Sequence, residues 1–363
     1  MQYLFAFLII VHGLLHLMGF IKAFNLAPIN EVTKEINRPT GVVWLLTTFL
    51  FIITGILFLL NLNSWWYAAL VSVFISQSLI ILTWHDAKFG TIANAMVLLI
   101  ALLSFAEGRF ENQYKKDVAE NLSEEFYDSL LTIESIAYLP PPVQRYIIYS
   151  GAVDKPVPKN FYIKFEGQIR QDENSEWLPF TSEQYNFIDE PSRLFFMKAK
   201  MKGLPVHGYH AFKNGKAAMD IRLLSLFPVQ YQDGDKMNIS ETVTWFNDIC
   251  LYAPGALVDK RITWESLDGL TAKATFTYQG ISISALLFFN DKGKLINFRS
   301  ENRYRIIGKD DIQLIPFSTP ANDFKNINGH MIPAYGEAVW NRPEGDLTYG
   351  QFFCQDIQYN VTM

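Results

Sequence analysis

Cysteine is nearly absent from this 363-residue chain: Cys250 and Cys354 are the only two, and they stand far apart. Two thiols cannot build a disulfide framework, and no C-x-x-C or Cys/His spacing suggests zinc. They read as two small buried hydrophobes or as one disulfide in an oxidising compartment. Charge is scarce in the first third. Before residue 109 there are only Lys22, Lys34, Arg38 and Lys88 against Glu31, Glu35, Asp86 and Glu107. The chain carries 31 basic and 36 acidic residues, so its formal charge of −5 belongs wholly to the remainder. A mildly acidic part without a Lys/Arg stripe sets nucleic-acid binding aside. No G-x-S-x-G, Walker A or G-x-G-x-x-G lies in a fitting context, which removes the usual sequence signatures of hydrolases, P-loop proteins and dinucleotide binders. The N-terminus has neither a basic n-region nor an A-x-A-like cleavage site, so its apolar run is expected to be a retained helix rather than a signal peptide.

What is abundant is apolar sequence, half of all residues. Four stretches fit the ~20 residues needed to cross a bilayer: roughly Tyr3–Phe24, Gly41–Leu62, Trp65–Trp84 and Thr91–Glu107. Trp65, Trp66 and Tyr67 open the third, where amphipathic rings favour an interface. Residues 1–108 are therefore expected to form a four-helix transmembrane module with the lipid bilayer as partner. With four spans, the 22–40 loop and the 85–90 turn share one side and carry Lys22, Lys34, Arg38 and Lys88. The C-terminal part on the other side carries Arg109, Lys115 and Lys116 close to the membrane. That asymmetry favours an extracytoplasmic C-terminal domain.

The first span reads VHGLLHLMGF, with His12 and His16 one helical turn apart on one face. Gln77 falls at a similar depth in the third span, His85 and Asp86 cap it, and Asn94 opens the fourth from the same side. Ionisable groups inside a bilayer usually face the bundle interior, so these six are expected to form a polar cluster. Three readings stand open: interhelical hydrogen bonds with Gly13 and Gly19 allowing close approach, a pocket for a headgroup or small polar ligand, or a metal or haem site.

Residues 109–150 look helical and amphipathic and break at LPPPVQRYIIYSG, where a proline suits the first turn of a helix over Val143–Tyr149. From Asn160 the period changes to two. Strands are expected at Phe161–Arg170, Trp177–Ile188, Arg193–Met201, Val206–Lys213, Ala217–Leu223, Ile262–Leu267, Ala272–Gln279, Ile281–Asn290, Leu295–Ile306, Met331–Trp340 and Tyr349–Tyr359. One helix interrupts them, NISETVTWFNDICLYAPGAL, with Asn238 and Glu241 spaced as a capping box. The expected architecture is α+β: the membrane module, then a domain over 151–363 built as a curved antiparallel half-barrel with a packed helix. In "HGYH", His207 and His210 point to opposite faces of a strand and do not converge. Glu241, Asp248 and Glu337 are carboxylates that could pair across the sheet. Trp177, Phe180, Trp245, Phe246, Trp264 and Trp340, with Asn247 and Asp248 in mid-helix, are the candidates for an apolar cavity with a polar mouth. No catalytic residue, metal or cofactor is assigned.

LPPPVQRYIIYSG, TVTWFNDICLYAPGALVDKRITW, ATFTYQGISISALLFFNDKGKLINF and IPAYGEAVWNRPEGDLTYGQF resemble successive motifs of a bacterial family of unknown function, whose domain often follows membrane helices similar to HGLLHLMGF and WHDAKFGTIAN. That domain resembles the LolA/LolB type, an open half-barrel around a helix. The resemblance implies binding of a lipid or other hydrophobic molecule and brings no catalytic residues. Two other functions stay in view: a membrane oxidoreductase or metal protein using His12, His16 and His85, and a structural or assembly protein.

Overall fold

The computed structural model describes residues 2–125, 129–307 and 311–363. The chain divides into two units, residues 1–110 and 111–363.

The first unit contains α1 (Gln2–Leu15), α2 (Leu17–Ala23), α3 (Arg38–Leu59), α4 (Trp65–Leu82), α5 (Trp84–Ala87) and the start of α6 (Gly90–Asn121). Four helical stretches, Gln2–Ala23, Arg38–Leu59, Trp65–Leu82 and Gly90–Asn121, are long and apolar enough to cross a membrane. The first is interrupted at His16, whose ring bonds back to the His12 carbonyl at 2.9 Å while its amide reaches only three residues back, to the Gly13 carbonyl at 3.1 Å. Glycines set the spacing between helices. A Cβ on Gly19 would lie 2.2 Å from the Trp44 ring, and one on Gly13 would lie 2.5 Å from Phe51 Cβ. The span expected to end at Glu107 continues instead as one helix to Asn121. Gly108 is tolerated within the helix and no proline intervenes, while Phe110, Tyr114 and Val118, four residues apart, keep one buried stripe. Beyond Asn121 the described residues of the stretch expected to be helical to 150 hold two short helices, α7 (Ile133–Ile136) and α8 (Pro141–Tyr149).

The second unit is a thirteen-stranded antiparallel sheet. Its strands are β1 (Asn160–Ile169), β2 (Leu178–Phe187), β3 (Ser192–Met201), β4 (Leu204–Lys213), β5 (Lys216–Leu223) and β6 (Phe227–Asp233). After α9 (Asp235–Tyr252) come β7 (Ile262–Ser266), β8 (Thr271–Tyr278), β9 (Ile281–Phe289), β10 (Leu295–Ser300), β13 (Phe317–Ile327), β14 (His330–Arg342) and β15 (Gly345–Tyr359). The short β11 (Tyr304–Ile306) and β12 (Ile312–Leu314) pair separately, so the long strand expected over Leu295–Ile306 is two elements. The order is β6-β5-β4-β3-β2-β1-β15-β14-β13-β10-β9-β8-β7. First and last strands meet in the middle, and the outer strands β6 and β7 do not pair with each other, so the curved sheet is not closed into a barrel. Bulges at Lys164/Phe165 in β1 and Ala338/Val339 in β14 bend it. β6 and β13 escape the alternation rule: β6 is an exposed edge, and β13 carries Pro320, Asn322 and Asp323, which depress strand propensity.

α9 lies against both wings of the sheet, touching β2–β6 on one side and β9–β11 and β14 on the other. It is buried almost all round, unlike a surface helix with one apolar stripe. Phe246 stacks on Phe276 at 5.5 Å, and Trp245 lies 4.8 Å from the same ring while donating to the Phe187 carbonyl at 3.0 Å. Each such ring contributes about 1.5–3 kcal/mol by burial. The capping box expected at Asn238 and Glu241 does not form. α9 starts three residues earlier, after Gly234 at φ +90°, Asn238 Oδ1 accepts from the Ala217 amide, and Glu241 turns to a buried arginine.

Candidate functional site

The concave face under α9 is apolar and aromatic with one polar island. Arg193 on β3 is buried and bonds through Nε to Asp248 at 2.8 Å, through Nη1 to Glu241 at 3.2 Å and through Nη2 to Gln184 at 2.9 Å. Gln184 and Asn186, inward-facing on β2, also donate to Asp248. Burial pushes the Glu241 carboxyl up, but Arg193 and His210 beside it hold it down at about 2. Burial raises Asp248, and Arg193 and Gln184 only partly offset that. His210 lies 3.8 Å from Glu241, whereas His207 bonds Ser225 on the other face, as strand alternation requires. Glu337 is separate and accepts from Tyr335 and Thr348. The sequence reading missed Arg193, Gln184 and Asn186. The available signal was polar side chains at strand positions in phase with buried ones, such as Phe180, Gln184 and Asn186.

Of the eight cavity candidates, Trp245, Phe246, Asn247 and Asp248 sit on α9 inside the sheet. Phe180 and Trp340 are buried on β2 and β14, and Trp264 packs partly buried against the core from β7. Trp177 precedes β2 under the Arg170 guanidinium at 4.5 Å. Trp340 and Phe317 hold Arg303 between them, at 5.1 and 4.0 Å. Polar atoms of this interior that are buried without a partner among the described residues include Asn247 Oδ1 on α9, Ser182 Oγ in phase with Gln184, and Thr319 Oγ1 beside Phe298. A groove of about 370 Å³ lies on the opposite face, between Tyr114 of α6 and Lys164, Glu183 and Lys198 of the sheet. A wider one of about 600 Å³ is lined by Lys155, His330 and Tyr359. Burial holds the His330 ring down at about 4, and Lys155 beside it acts in the same direction. The two cysteines are free and buried, and burial pushes the Cys354 thiol up to about 12.

In the first unit, four of the six polar candidates, His12, His16, Gln77 and Asn94, are close together. His12 Nε2 bonds Asn94 Oδ1 at 2.9 Å, Asn94 Nδ2 donates to Ser76 Oγ and Gln77 Oε1 at 3.0 Å each, and Ser76 Oγ meets His16 Nε2 at 2.9 Å. Gln77 continues the chain to Thr91. Because His16 Nδ1 faces a carbonyl, it carries the proton and Nε2 accepts from Ser76. His85 and Asp86 stand apart. Asp86 accepts from the Thr33 and Lys34 amides and the Thr33 hydroxyl, pinning the 22–40 loop, and these bonds with that to His85 hold its carboxyl below the usual range. Among the described residues no group of three or more His, Cys, Asp or Glu side chains converges as a metal site would require.

Four membrane-length helices ahead of an unclosed antiparallel sheet wrapped on a buried helix define a helical-module-plus-curved-sheet protein. Within that class the chain belongs to the family of unknown function DUF6544, whose profile matches residues 129–352. No curated protein matches it in sequence. Among solved structures it is similar to a LolA superfamily protein from Nitrosomonas europaea, at 11% identity over 64% of this chain and 96% of that one, TM-score 0.35. It is also similar to a domain assigned to outer-membrane lipoprotein sorting from Vibrio parahaemolyticus, at 8% identity over 56% and 86%, TM-score 0.33. A DUF1329 family protein from Desulfovibrio piger matches at 12% identity over 57% and 88%, TM-score 0.32.

Proposed function

We propose that this protein is a membrane-anchored binder of a lipid or another hydrophobic molecule, with residues 2–110 supplying the anchor and the concave face of the sheet the binding surface. One observation carries the reading: an interior lined by Phe246, Phe276, Phe298 and Trp245 that also holds unpartnered polar atoms, among them Asn247 Oδ1, Ser182 Oγ and Thr319 Oγ1. An unpaired buried polar atom costs about 1–3 kcal/mol, and a molecule with an apolar chain and a polar group matches both features at once. The lack of closure between β6 and β7 supports access, since α9 can shift on an open sheet without breaking a barrel seam. The domain is read as extracytoplasmic. The test is a photoactivatable phospholipid in proteoliposomes, with its cross-links mapped by peptide. Adducts on α9 and on the inner residues of β8–β10 and β13 are expected; adducts confined to residues 2–110 would overturn the assignment.

The intramembrane polar chain supports a structural role for His12 and His16, because each ring is already engaged by Asn94 or Ser76.

A further inference from the structure

The sheet has two ends, and α6 tells them apart. Glu111 pairs with Lys198 at 2.5 Å, whereas Asp117, six residues on, bonds Tyr209 and Lys213 at 2.6 Å. Lys213 pairs with Ser192 at the far end of the β3–β4 hairpin. The Met201–Leu204 tip therefore stands at the Glu111 end, three residues or about 10 Å of strand past Lys198. The β5–β6 turn stands there too, since Leu223 pairs with Val206. The chain reaches Glu111 directly from the apolar stretch of α6.

These two tips are unusual for a soluble surface. Met201, Leu204, Phe227 and Val229 are 42%, 47%, 59% and 56% exposed, and Leu226 and Tyr231 extend the patch. A contiguous exposed apolar patch marks an interaction site. Residues 198–206 hold Lys200 and Lys202 and no acidic residue, although the chain as a whole is acidic; Lys198 is held by Glu111 and Arg222 by Asp220. Apolar side chains rimmed by lysines at the end where the chain leaves an apolar helix match an anionic lipid surface, whose headgroups pair with the ammonium groups while the side chains enter the acyl boundary.

We propose that the β3–β4 and β5–β6 tips are a second membrane contact, inserting Leu204 and Phe227 into an anionic leaflet. This rests on the reading of the four apolar helices as membrane spans, and it is independent of what the concave face binds. The test uses the full chain in nanodiscs of phosphatidylcholine and phosphatidylglycerol, with a fluorophore on Phe227→Cys or Leu204→Cys. The native thiols are buried, and both tip positions are exposed. Two controls are labelled in the same way: Phe49→Cys on an exposed face of α3, and Asp291→Cys on the β9–β10 turn in the other wing.

Doxyl-labelled lipid is expected to quench the labels at 204, 227 and 49 by about twofold or more, against little at 291, and iodide to do the reverse. Exchanging phosphatidylglycerol for phosphatidylcholine, or introducing Lys200→Glu with Lys202→Glu, is expected to weaken quenching at 227 but not at 49. Iodide access at 204 and 227 with quenching retained at 49 would overturn the tip contact alone. Shielding from both quenchers would also overturn it, assigning the patch to a protein. Loss of lipid quenching at 49 would overturn the membrane reading on which it rests.

Discussion

Removing the Arg193 side chain is the sharpest perturbation of the second unit. Arg193→Met deletes the only cation bonded to both Glu241 and Asp248 among the described residues, at 3.2 and 2.8 Å, and leaves two buried carboxylates on α9. Breaking a buried pair from one side costs about 3–5 kcal/mol, a large part of the 5–15 kcal/mol of a typical domain. At about 1.36 kcal/mol per tenfold, α9 amides should lose roughly two to nearly four orders of magnitude of hydrogen-exchange protection. The pH dependence adds a sign. In the native chain Glu241 is depressed to about 2, so its contribution is present above the ordinary value of 4.5 and fades as pH falls from there towards 2. Asp248, pushed up by burial, acts in the opposite sense. Without Arg193, burial raises both carboxyls, and the folded state takes up protons more readily than the unfolded one. Protection of α9 should then rise as pH is lowered from 7 towards 5. Adding Glu241→Gln and Asp248→Asn to Arg193→Met should recover most of the loss. Less than a tenfold loss in Arg193→Met, or an unchanged pH profile, would refute the buried network.

The remaining predictions concern the anchor and its orientation. His16→Ala should leave the Ser76 hydroxyl without its ring partner and cost about 1–2 kcal/mol, read as a lower denaturation midpoint in mild detergent; loss of a bound absorbing group would instead revive the metal or haem reading. Gly19→Val should disrupt α2–α3 packing, because its Cβ meets the Trp44 ring at 2.2 Å, with a cost of about 1–3 kcal/mol from overpacking, visible as increased protease sensitivity of the 22–40 loop. Asp291→Cys, exposed on a hairpin, should react with an impermeant maleimide on intact cells. Reaction only after permeabilisation would place the domain in the cytoplasm.

Long-range character decides what could be read from sequence. The four apolar helices, the alternation of Ala272, Ala274, Phe276 and Tyr278, and the turn at Asn290–Lys294 are local patterns, and each has its counterpart in the fold. β13 was invisible because a strand held by two neighbours tolerates Pro320 and Asn322, which local propensity rejects. The continuation of α6 to Asn121 was masked by the change from an apolar to an amphipathic surface. The Asn238/Glu241 spacing is a genuine local signal overridden by tertiary charge: Arg193, 48 residues upstream in sequence, claims the carboxylate that the cap would have used. The network of Gln184, Asn186 and Arg193 joins three elements and has no signature within any one of them. His12, His16, Gln77 and Asn94 could be grouped by membrane depth, whereas Ser76, which links them, looked like any helix serine.

A sheet domain that holds a hydrophobic molecule should carry it out of the membrane. Native mass spectrometry of the full chain released from mild detergent, compared with its denatured mass, tests this most directly. Excess mass matching a lipid is expected, reduced when Thr319→Arg or Ser182→Arg fills the concave face and unchanged by Ser64→Arg in the exposed turn before α4. Excess mass that follows only substitutions in residues 2–110, or none in a protein still carrying its annular lipid, would contradict it.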